Sequence, residues 1–387
     1  MYSYNTIADL SKFEKEHNVW NMKFLEYPLW VHCREGASNQ GINIVSVFYR
    51  PNLRRIIIST YDSLKFIFSQ KRYNKVYFLA DRVETVQIYT EDTETKKILF
   101  LHQEQKEGTS QLEHIDASFF NIVRYIFRKI TYGAFFIRYR SFVRELANIG
   151  YDESRFVKIK NAMGDALFLK CLSFVLRKNV TVFYAGAVVP AGEKFINRLN
   201  SCEVQHGVIH SQHVGYVGIP NVKNKLIVYA KRYEKLLRNH DYKGQIEVNT
   251  FKQAFLTTAS SRNFTSVIYT QPIEAMQKSI KDFFKKEKRE GIYIQKHPQD
   301  FYNYEIPSVY FAKNTVPSEV DYPVCYTSTI IENFTLLDRE CYIYDIQHDN
   351  IDLDNFLSLY TEETEAKLFY FYDLESIYKD IKKKKVN

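Results

Sequence analysis

The fold is decided by residues 265–298, TSVIYTQPIEAMQKSIKDFFKKEKREGIYIQKHP. Residues 265–269 are rich in β-branched and aromatic side chains and predict a strand, and Pro272 stands where a helix would begin. The helix predicted after Pro272 has one apolar face, made of Ile273, Met276, Ile280 and Phe283. Residues 292–295 are a second predicted strand. The order strand, helix, strand is the repeating unit of a parallel sheet.

The rest of the chain shows the same alternation. In residues 154–177, apolar side chains recur at spacings of three and four, which predicts a helix. Further strands are predicted at residues 42–48, 76–80, 97–101, 180–184, 308–311, 324–326 and 341–344. We therefore predict an α/β protein of two Rossmann-like domains, residues 1–250 and residues 251–387. The length of 387 residues agrees with two hydrophobic cores.

Composition places the chain among globular proteins, with 45% hydrophobic and 25% charged residues. The five cysteines are widely separated and include no CxxC pair, which indicates a reducing compartment. The first residues lack the basic and apolar regions of a signal peptide, and no apolar run is long enough to span a membrane. We therefore expect a cytoplasmic protein.

The net charge of +8 does not point to nucleic acid, because acidic residues balance basic ones along most of the chain and no binding motif occurs. Lysines 382–385 follow an amphipathic segment, residues 374–381. This end could rest on anionic headgroups and make the protein peripheral at the inner face of the plasma membrane. A solvated run of charge is the alternative.

Residues 203–216, EVQHGVIHSQHVGY, concentrate three histidines, a glutamate and two glycines. In open parallel sheets, ligands bind beyond the carboxyl ends of strands, where this segment is predicted to begin. Gly207 permits a sharp turn that would leave His206 exposed. An imidazole there suits the removal of a proton from an attacking hydroxyl, with Glu203 to orient or replace it.

Two other interpretations of this segment stay open. The histidines can be ordinary loop residues with satisfied hydrogen bonds. Alternatively, His206, His210 and His213 could ligate a metal ion, although the segment offers no carboxylate beyond Glu203. Because no Asp-x-Asp pair stands at the end of a predicted strand, we expect neither a metal nor a cofactor requirement.

A second segment, residues 292–298, places Lys296 and His297 just past a predicted strand. Pro298 restricts the backbone before it, so the imidazole of His297 is held at the strand end. A positive group at that point can bind a phosphate and stabilise a leaving nucleotide. A His-Pro pair by itself is also a common turn.

The third segment is residues 324–334, VCYTSTIIENF, an apolar strand followed by three hydroxyl residues and a helix start. Ser328 or Thr329 can cap the helix, whose free N–H groups attract anions. Glu332 lies one turn in, where its carboxylate could accept hydrogen bonds from ribose hydroxyls. A capping box without a ligand is the alternative.

Together and in this order, the three segments resemble bacterial GT-B glycosyltransferases of capsule and lipopolysaccharide assembly, particularly the sialyltransferase and Kdo transferase groups. Those families carry an acidic motif ending in Gly, a His-Pro motif and a Ser/Thr motif that opens a helix. His297-Pro298 matches the second motif, and Ser328-Thr329 matches the third. The resemblance covers about residues 180–345.

This resemblance implies two domains that face each other across a cleft, with a nucleotide-sugar donor, here a CMP-sugar, in the C-terminal domain. His297 would meet the donor's phosphate and base, and Ser328 and Thr329 the phosphate. From their predicted strand-end and helix-start positions we add three residues to this donor site: Gln271, Lys296 and Glu332.

The N-terminal domain would bind the acceptor, a glycan or a lipid-linked glycan. Two groups of residues are candidates for that contact. The first is residues 26–30 with Arg34, and the second is Asp81 with Arg82, which directly follow a predicted strand. Aromatic core packing and surface salt bridges are the alternatives for these residues.

The first motif departs from the family pattern. Gln205-His206-Gly207 stands where those families have an acidic base before Gly, and it is similar to the His-Gly of teichoic-acid glycerophosphotransferases. We assign the base to His206, with Glu203 second and Gly207, His210 and His213 in the surrounding loop.

The main prediction is a metal-independent glycosyltransferase that moves a sugar, such as sialic acid or Kdo, onto a bacterial surface polysaccharide or lipooligosaccharide. One alternative is a CDP-polyol phosphotransferase of capsule or teichoic-acid type, in which His206 has the same task. Another is a non-catalytic glycan-assembly protein.

Overall fold

The computed structural model describes the chain in segments. They are residues 6–31, 33–34, 53–73, 75–77, 97–101, 114–151, 156–178, 180–185, 195–205, 209–211, 213–220, 222, 224–249, 263–297, 300–312, 315, 317–326, 330–335, 337, 339–345 and 368–386. The chain divides into two compact units, Met1–Phe251 and Lys252–Asn387.

The first unit contains an antiparallel pair and a parallel sheet. The pair is β1 (Lys23–Phe24) and β2 (Tyr27–Pro28). The sheet is made of β3 (Lys75–Tyr77), β4 (Lys97–Leu101), β5 (His114–Asp116), β6 (Thr181–Ala185), β7 (Ser201–Val204), β8 (Lys225–Val228) and β9 (Gln245–Val248). Its strand order is β5-β4-β3-β6-β7-β8-β9. β4 and β5 therefore lie on one side of β3, and β6 to β9 lie on the other side.

The described helices of the first unit lie before β3, between β5 and β6, and between β8 and β9. They are α1 (Ile7–Glu16), α2 (Leu53–Ser69), α3 (Ser118–Ala134), α4 (Phe136–Asn148), α5 (Phe156–Val175) and α6 (Lys231–Asn239). α5 matches the helix predicted at residues 154–177, and its buried residues include Ile159, Met163 and Ala166. At the start of α1, the Thr6 hydroxyl accepts a hydrogen bond from the Asp9 amide at 3.2 Å, which caps the helix.

α3 and α5 are held together by shared ion pairs and by a close approach of their backbones. Arg124 and Arg128 of α3 each donate two hydrogen bonds to the Asp165 carboxylate, at 2.7–2.8 Å. Burial raises the pKa of this carboxyl, but the two guanidinium groups outweigh burial and bring it to about 2. Beside it, a Cβ on Gly164 would lie 2.4 Å from the Cα of Arg128. The two helices pack this closely because Gly164 has no side chain.

The second unit is a parallel sheet flanked by helices. Its strands are β10 (Phe264–Tyr269), β11 (Ile292–Gln295), β12 (Val320–Cys325), β13 (Cys341–Tyr344) and β14 (Leu368–Phe371), in the order β11-β10-β12-β13-β14. Its helices are α7 (Glu274–Lys286), α8 (Ile330–Thr335) and α9 (Leu374–Val386). The predicted apolar face of α7 is confirmed, since Met276, Ile280 and Phe283 are buried in one core with Ile377 and Ile381 of α9.

The predicted α/β class with parallel sheets is confirmed. The strand predicted at residues 308–311 is wrong, because Ser308–Tyr310 is a short 3-10 helix after Pro307. Val309 is 71% exposed, whereas Tyr310 and Phe311 pack against the core, and Phe311 forms only an isolated parallel bridge with Ile294. The strand predicted at residues 42–48 lies outside the described residues.

Replacing Gly164 by Ala should destabilise the first unit, because the added methyl must push α3 away from α5. We expect the free energy of unfolding to fall by about 1–3 kcal/mol in urea denaturation. Gly133→Ala in α3 is the matched control, since apart from the adjoining residues and backbone of its own helix no atom lies within 4 Å of its Cβ position. The control should be neutral or stabilising by up to about 1 kcal/mol, and equal effects of the two substitutions would contradict the close approach.

Candidate functional site

In the second unit, polar residues collect at the carboxyl edge of the parallel sheet. The strand order reverses between β10 and β12, which is where ligands bind in open α/β sheets. Gln271 follows β10, and Lys296 and His297 follow β11, its direct neighbour. Ser328 and Thr329, which come after β12, lie outside the described residues.

Asp300 is the centre of a buried hydrogen-bond network at this edge. Its carboxylate accepts from the Gln277 amide at 2.8 Å, from the Tyr304 hydroxyl at 2.7 Å and from the Thr270 hydroxyl. The Tyr302 backbone N–H adds a hydrogen bond of 3.1 Å. Because a carboxylate can only accept, these donors fix the loop after β11 against both β10 and α7. The sequence prediction missed Asp300, although its position just past a strand was a usable signal.

His297 is held by its backbone within this network. Its N–H donates to the Thr270 hydroxyl at 3.1 Å, and its carbonyl accepts from the Asp300 N–H at 2.8 Å. The imidazole is half-buried. Burial lowers its pKa below the usual 6.5, and the nearby Asp300 carboxylate offsets only part of this shift. Near neutral pH, His297 is therefore a neutral imidazole, a hydrogen-bonding group more than a cation.

Two other predicted donor residues are engaged with the protein itself. The Lys296 ammonium donates to the Tyr302 carbonyl at 2.7 Å and lies 5.5 Å from the centre of the Tyr304 ring. Glu332 lies in the first turn of α8 with 1% of its surface exposed. Its carboxylate is thus inside the unit, where it would have to be uncovered before it could meet a ribose. Gln271 is partly exposed.

In the first unit, Glu203 lies inside the sheet. It is the third residue of β7, pairs with Tyr184 and Leu226 on the neighbouring strands, and is completely buried. Its carboxylate lies near the phenols of Tyr216 and Tyr242. Burial raises the pKa of both phenols well above the usual value, and the negative charge of Glu203 raises them further. A solvent-borne hydroxyl cannot reach Glu203 in this arrangement.

Gln205, next to the assigned base, is fixed by Tyr229, which directly follows β8. Its side-chain oxygen accepts from the Tyr229 N–H at 3.0 Å, and its carbonyl accepts from the Tyr229 hydroxyl. The chain therefore leaves the sheet at a defined point. His206 and Gly207 follow directly and lie outside the described residues.

The segment after this point is the histidine loop, residues 209–219. The ring of His213 packs against those of His210, at 5.6 Å between centres, and Tyr216, at 4.9 Å. Nδ1 of His213 accepts from the Gly215 N–H at 3.1 Å, so a neutral His213 carries its proton on Nε2. Within the described ranges, His, Cys, Asp and Glu form no group suited to a metal ion.

A buried ion pair from the N-terminal segment holds the histidine loop. Arg34 is completely buried, and its guanidinium donates to the Glu14 carboxylate at 2.7 Å and to the Val214 and Val217 carbonyls at 2.6 Å each. Glu14 also accepts from Trp30 Nε1 at 2.7 Å. Sequence reasoning missed Glu14, since a glutamate in an amphipathic helix normally faces solvent.

At Tyr27, Trp30 and Arg34 the structure shows core packing and a buried ion pair, which were the alternatives to acceptor contacts. Tyr27 and Trp30 are buried aromatic core, and Arg34 uses its donors on the loop, so none of the three presents a polar group to a ligand. Asp81 and Arg82 lie outside the described residues.

Comparisons with known proteins add a likeness in fold. No protein-family model matches the chain, and no curated protein matches it. Solved structures of the wall teichoic acid polymerase TagF superpose with a TM-score of 0.43 at 11% identity, over 86% of this chain and 89% of that one. A TagF variant soaked with CDPG gives a TM-score of 0.43 at 10% identity, over 86% and 88%. A likeness of this degree says nothing about the reaction that this chain performs.

Glu14→Gln should strongly destabilise the first unit, because Arg34 would remain buried without its opposite charge. We expect a loss of about 3–5 kcal/mol in urea denaturation. Hydrogen exchange at the Val217 amide, which donates to the His213 carbonyl, should quicken as the loop loosens. Asp241→Asn removes an exposed carboxylate paired with Lys243 and is the control that should change neither measurement. A Glu14→Gln protein as stable as this control would contradict the role of the pair.

The stability of the second unit should fall as the pH drops below 6.5, because the unfolded chain then takes up a proton on His297 before the folded chain does. Above 6.5 both states hold the neutral imidazole and this contribution is constant. His297→Asn should flatten the acid side of a plot of thermal midpoint against pH. His17→Asn, at an exposed histidine, is the control. An unchanged slope in His297→Asn would contradict the burial of the imidazole.

Proposed function

We propose that this chain is a transferase of bacterial cell-surface glycopolymer assembly that uses a nucleotide-activated donor. The observation that carries the proposal is the built polar edge of the second unit. There the buried Asp300 carboxylate and Thr270 hold His297 at the end of β11, beside the strand where the sheet order reverses. The half-buried imidazole lies at the edge of the apolar core, and a neutral hydrogen-bonding group in a fixed position suits the phosphate or base of a nucleotide.

The proposed reaction needs a base, and His206 supplies it. Its imidazole takes the proton from an acceptor hydroxyl, whose oxygen then attacks the donor, and the nucleotide leaves with the electron pair of the broken bond. Burial of Glu203 supports His206 as the base, because the carboxylate is not accessible. Glu203 instead lies close to Tyr216 and thereby supports the strand end from which His206 extends.

Two donor classes share this scheme. In sugar transfer the acceptor oxygen attacks the anomeric carbon of a nucleotide-sugar, such as a CMP-sugar. In polyol phosphate transfer it attacks the phosphorus of a CDP-polyol, a phosphodiester forms and CMP leaves. The signature Glu203-x-Gln205-His206-Gly207 favours the second class, since its His-Gly is similar to that of teichoic-acid glycerophosphotransferases.

The remaining parts of the proposal follow from the sequence. Residues 251–387 bind the donor, with Gln271, Lys296, Ser328, Thr329 and Glu332 beside His297. Residues 1–250 bind the glycan or lipid-linked acceptor, with His210 and His213 in the loop that follows the base in the sequence. The reaction requires no metal and takes place at the cytoplasmic side.

Thermal shift with CMP, CDP, UDP and GDP tests the donor site. A nucleotide at 100 times its dissociation constant should stabilise the protein by about 2.7 kcal/mol. His297→Ala should lose this stabilisation, whereas His206→Ala should keep it and abolish transfer. His17→Ala, at an exposed histidine with no role in the proposed site, is the control for both measurements. No stabilisation by any nucleotide would favour the non-catalytic assembly protein, and full activity of His206→Ala would overturn the assignment of the base.

Mass analysis of the product distinguishes the two donor classes. An added polyol phosphate identifies the phosphotransferase, and an added sugar without phosphorus identifies the glycosyltransferase.

A further inference from the structure

The bend between α3 and α4 exposes three consecutive apolar residues. Phe135, Phe136 and Ile137 are 40%, 41% and 86% exposed. Phe135 packs edge-on against Phe24, with 5.1 Å between ring centres, so the bend is anchored to the first unit. An exposed apolar run of this kind is unfavourable in water unless something covers it.

The exposed apolar surface continues along the neighbouring helices. On α3, one turn and more before the bend, Tyr125, Ile126 and Ile130 are between 46% and 57% exposed. α2, which packs against α3, carries a stripe at helical spacing whose members are between 42% and 87% exposed. That stripe is Leu53, Ile57, Tyr61, Leu64 and Phe68. We call the exposed apolar residues of α2, α3, α4 and the bend the apolar face.

Cations surround the bend, and acidic residues are missing from it. No Asp or Glu occurs between Asp116 and Glu145. Of the basic residues in that interval, Arg124 and Arg128 are committed to Asp165. The remaining four are exposed and form no ion pair with any carboxylate in the described ranges: Lys129, Arg138, Arg140 and Arg144. Three of these cationic groups lie over aromatic rings of the same helices: Lys129 over Tyr125 at 5.2 Å, Arg138 over Phe142 at 4.6 Å and Arg140 over Phe136 at 5.6 Å from the ring centre.

We infer that the α3–α4 bend docks on an anionic lipid surface. Apolar side chains flanked by Lys and Arg are the composition of interfacial helices, in which rings enter the headgroup boundary while cations meet lipid phosphates. Charge complementarity selects this occupant over a second copy of the chain, because two copies would bring the same uncompensated cations together. None of the helices in the described segments is long and apolar enough to cross a bilayer, so the contact is a surface one. The inference does not depend on the proposed function.

The test is flotation of the full chain with vesicles of phosphatidylcholine alone or mixed with phosphatidylglycerol. We expect the protein to bind the mixed vesicles. Its affinity for the neutral vesicles should be lower by about 10-fold or more. Arg138→Gln, Arg140→Gln and Arg144→Gln combined should weaken binding to mixed vesicles roughly 10- to 100-fold. Phe136→Ser with Ile137→Ser should weaken binding to both. All five side chains are exposed, so circular dichroism and the thermal midpoint should not change.

Two matched controls locate the contact. Lys382→Gln, Lys383→Gln and Lys385→Gln remove equal charge from the C-terminal lysine run. Phe301→Ser with Val309→Ser removes two apolar groups, 87% and 71% exposed, from the second unit. Both controls should bind as the unaltered chain does. Loss of binding in the lysine control would place the contact at the C-terminus and overturn the inference.

A further measurement distinguishes a lipid surface from a second copy. Ile137→Trp fluorescence should be quenched by brominated lipid in mixed vesicles, and Phe301→Trp fluorescence should not. Light scattering should show a monomer without vesicles. A dimer that Ile137→Ser dissociates, or an unquenched Trp at position 137, would overturn the inference.

Discussion

The histidine loop depends on one buried cation. Arg34 has no contact with water, and a cation in that position costs several kcal/mol unless hydrogen bonds and an opposite charge replace its hydration. Glu14 supplies the charge, and the carbonyls of Val214 and Val217 accept the N–H groups that point toward the loop. The loop cannot shift without leaving donors of Arg34 unsatisfied. Its geometry and the neutralisation of the charge are therefore set together.

In the second unit, a buried anion takes the part that the buried cation Arg34 has in the first unit. Asp300 is a buried carboxylate that can only accept hydrogen bonds, so Thr270, Gln277 and Tyr304 must all point their donors at it. Each comes from a different part of the unit, and the network therefore fixes the carboxyl edge of the sheet before any ligand arrives. An edge that is already ordered loses less conformational entropy on binding, which favours affinity.

The sequence predicted what periodicity and local chemistry control. The helix after Pro272 and the strands on either side of it were correct, because their apolar spacing is a local property. The position of His297 just past β11 also followed from local sequence. Burial of Glu203 and Glu332 could not be predicted, since it depends on which distant side chains cover them. The burial of Arg34 could not be predicted either, because its partners Glu14, Val214 and Val217 lie elsewhere in the chain.

Arg34 is separated along the sequence from its two carbonyl partners in the histidine loop, Val214 by 180 positions and Val217 by 183. Contacts of such separation form late, since a long stretch of chain must be ordered before the two ends meet. During synthesis on the ribosome, Arg34 emerges long before Val214, and its guanidinium stays hydrated in the meantime. The first unit can thus assemble most of its sheet as a nascent chain, while the segment that carries the histidines acquires its shape only near the end of translation of that unit.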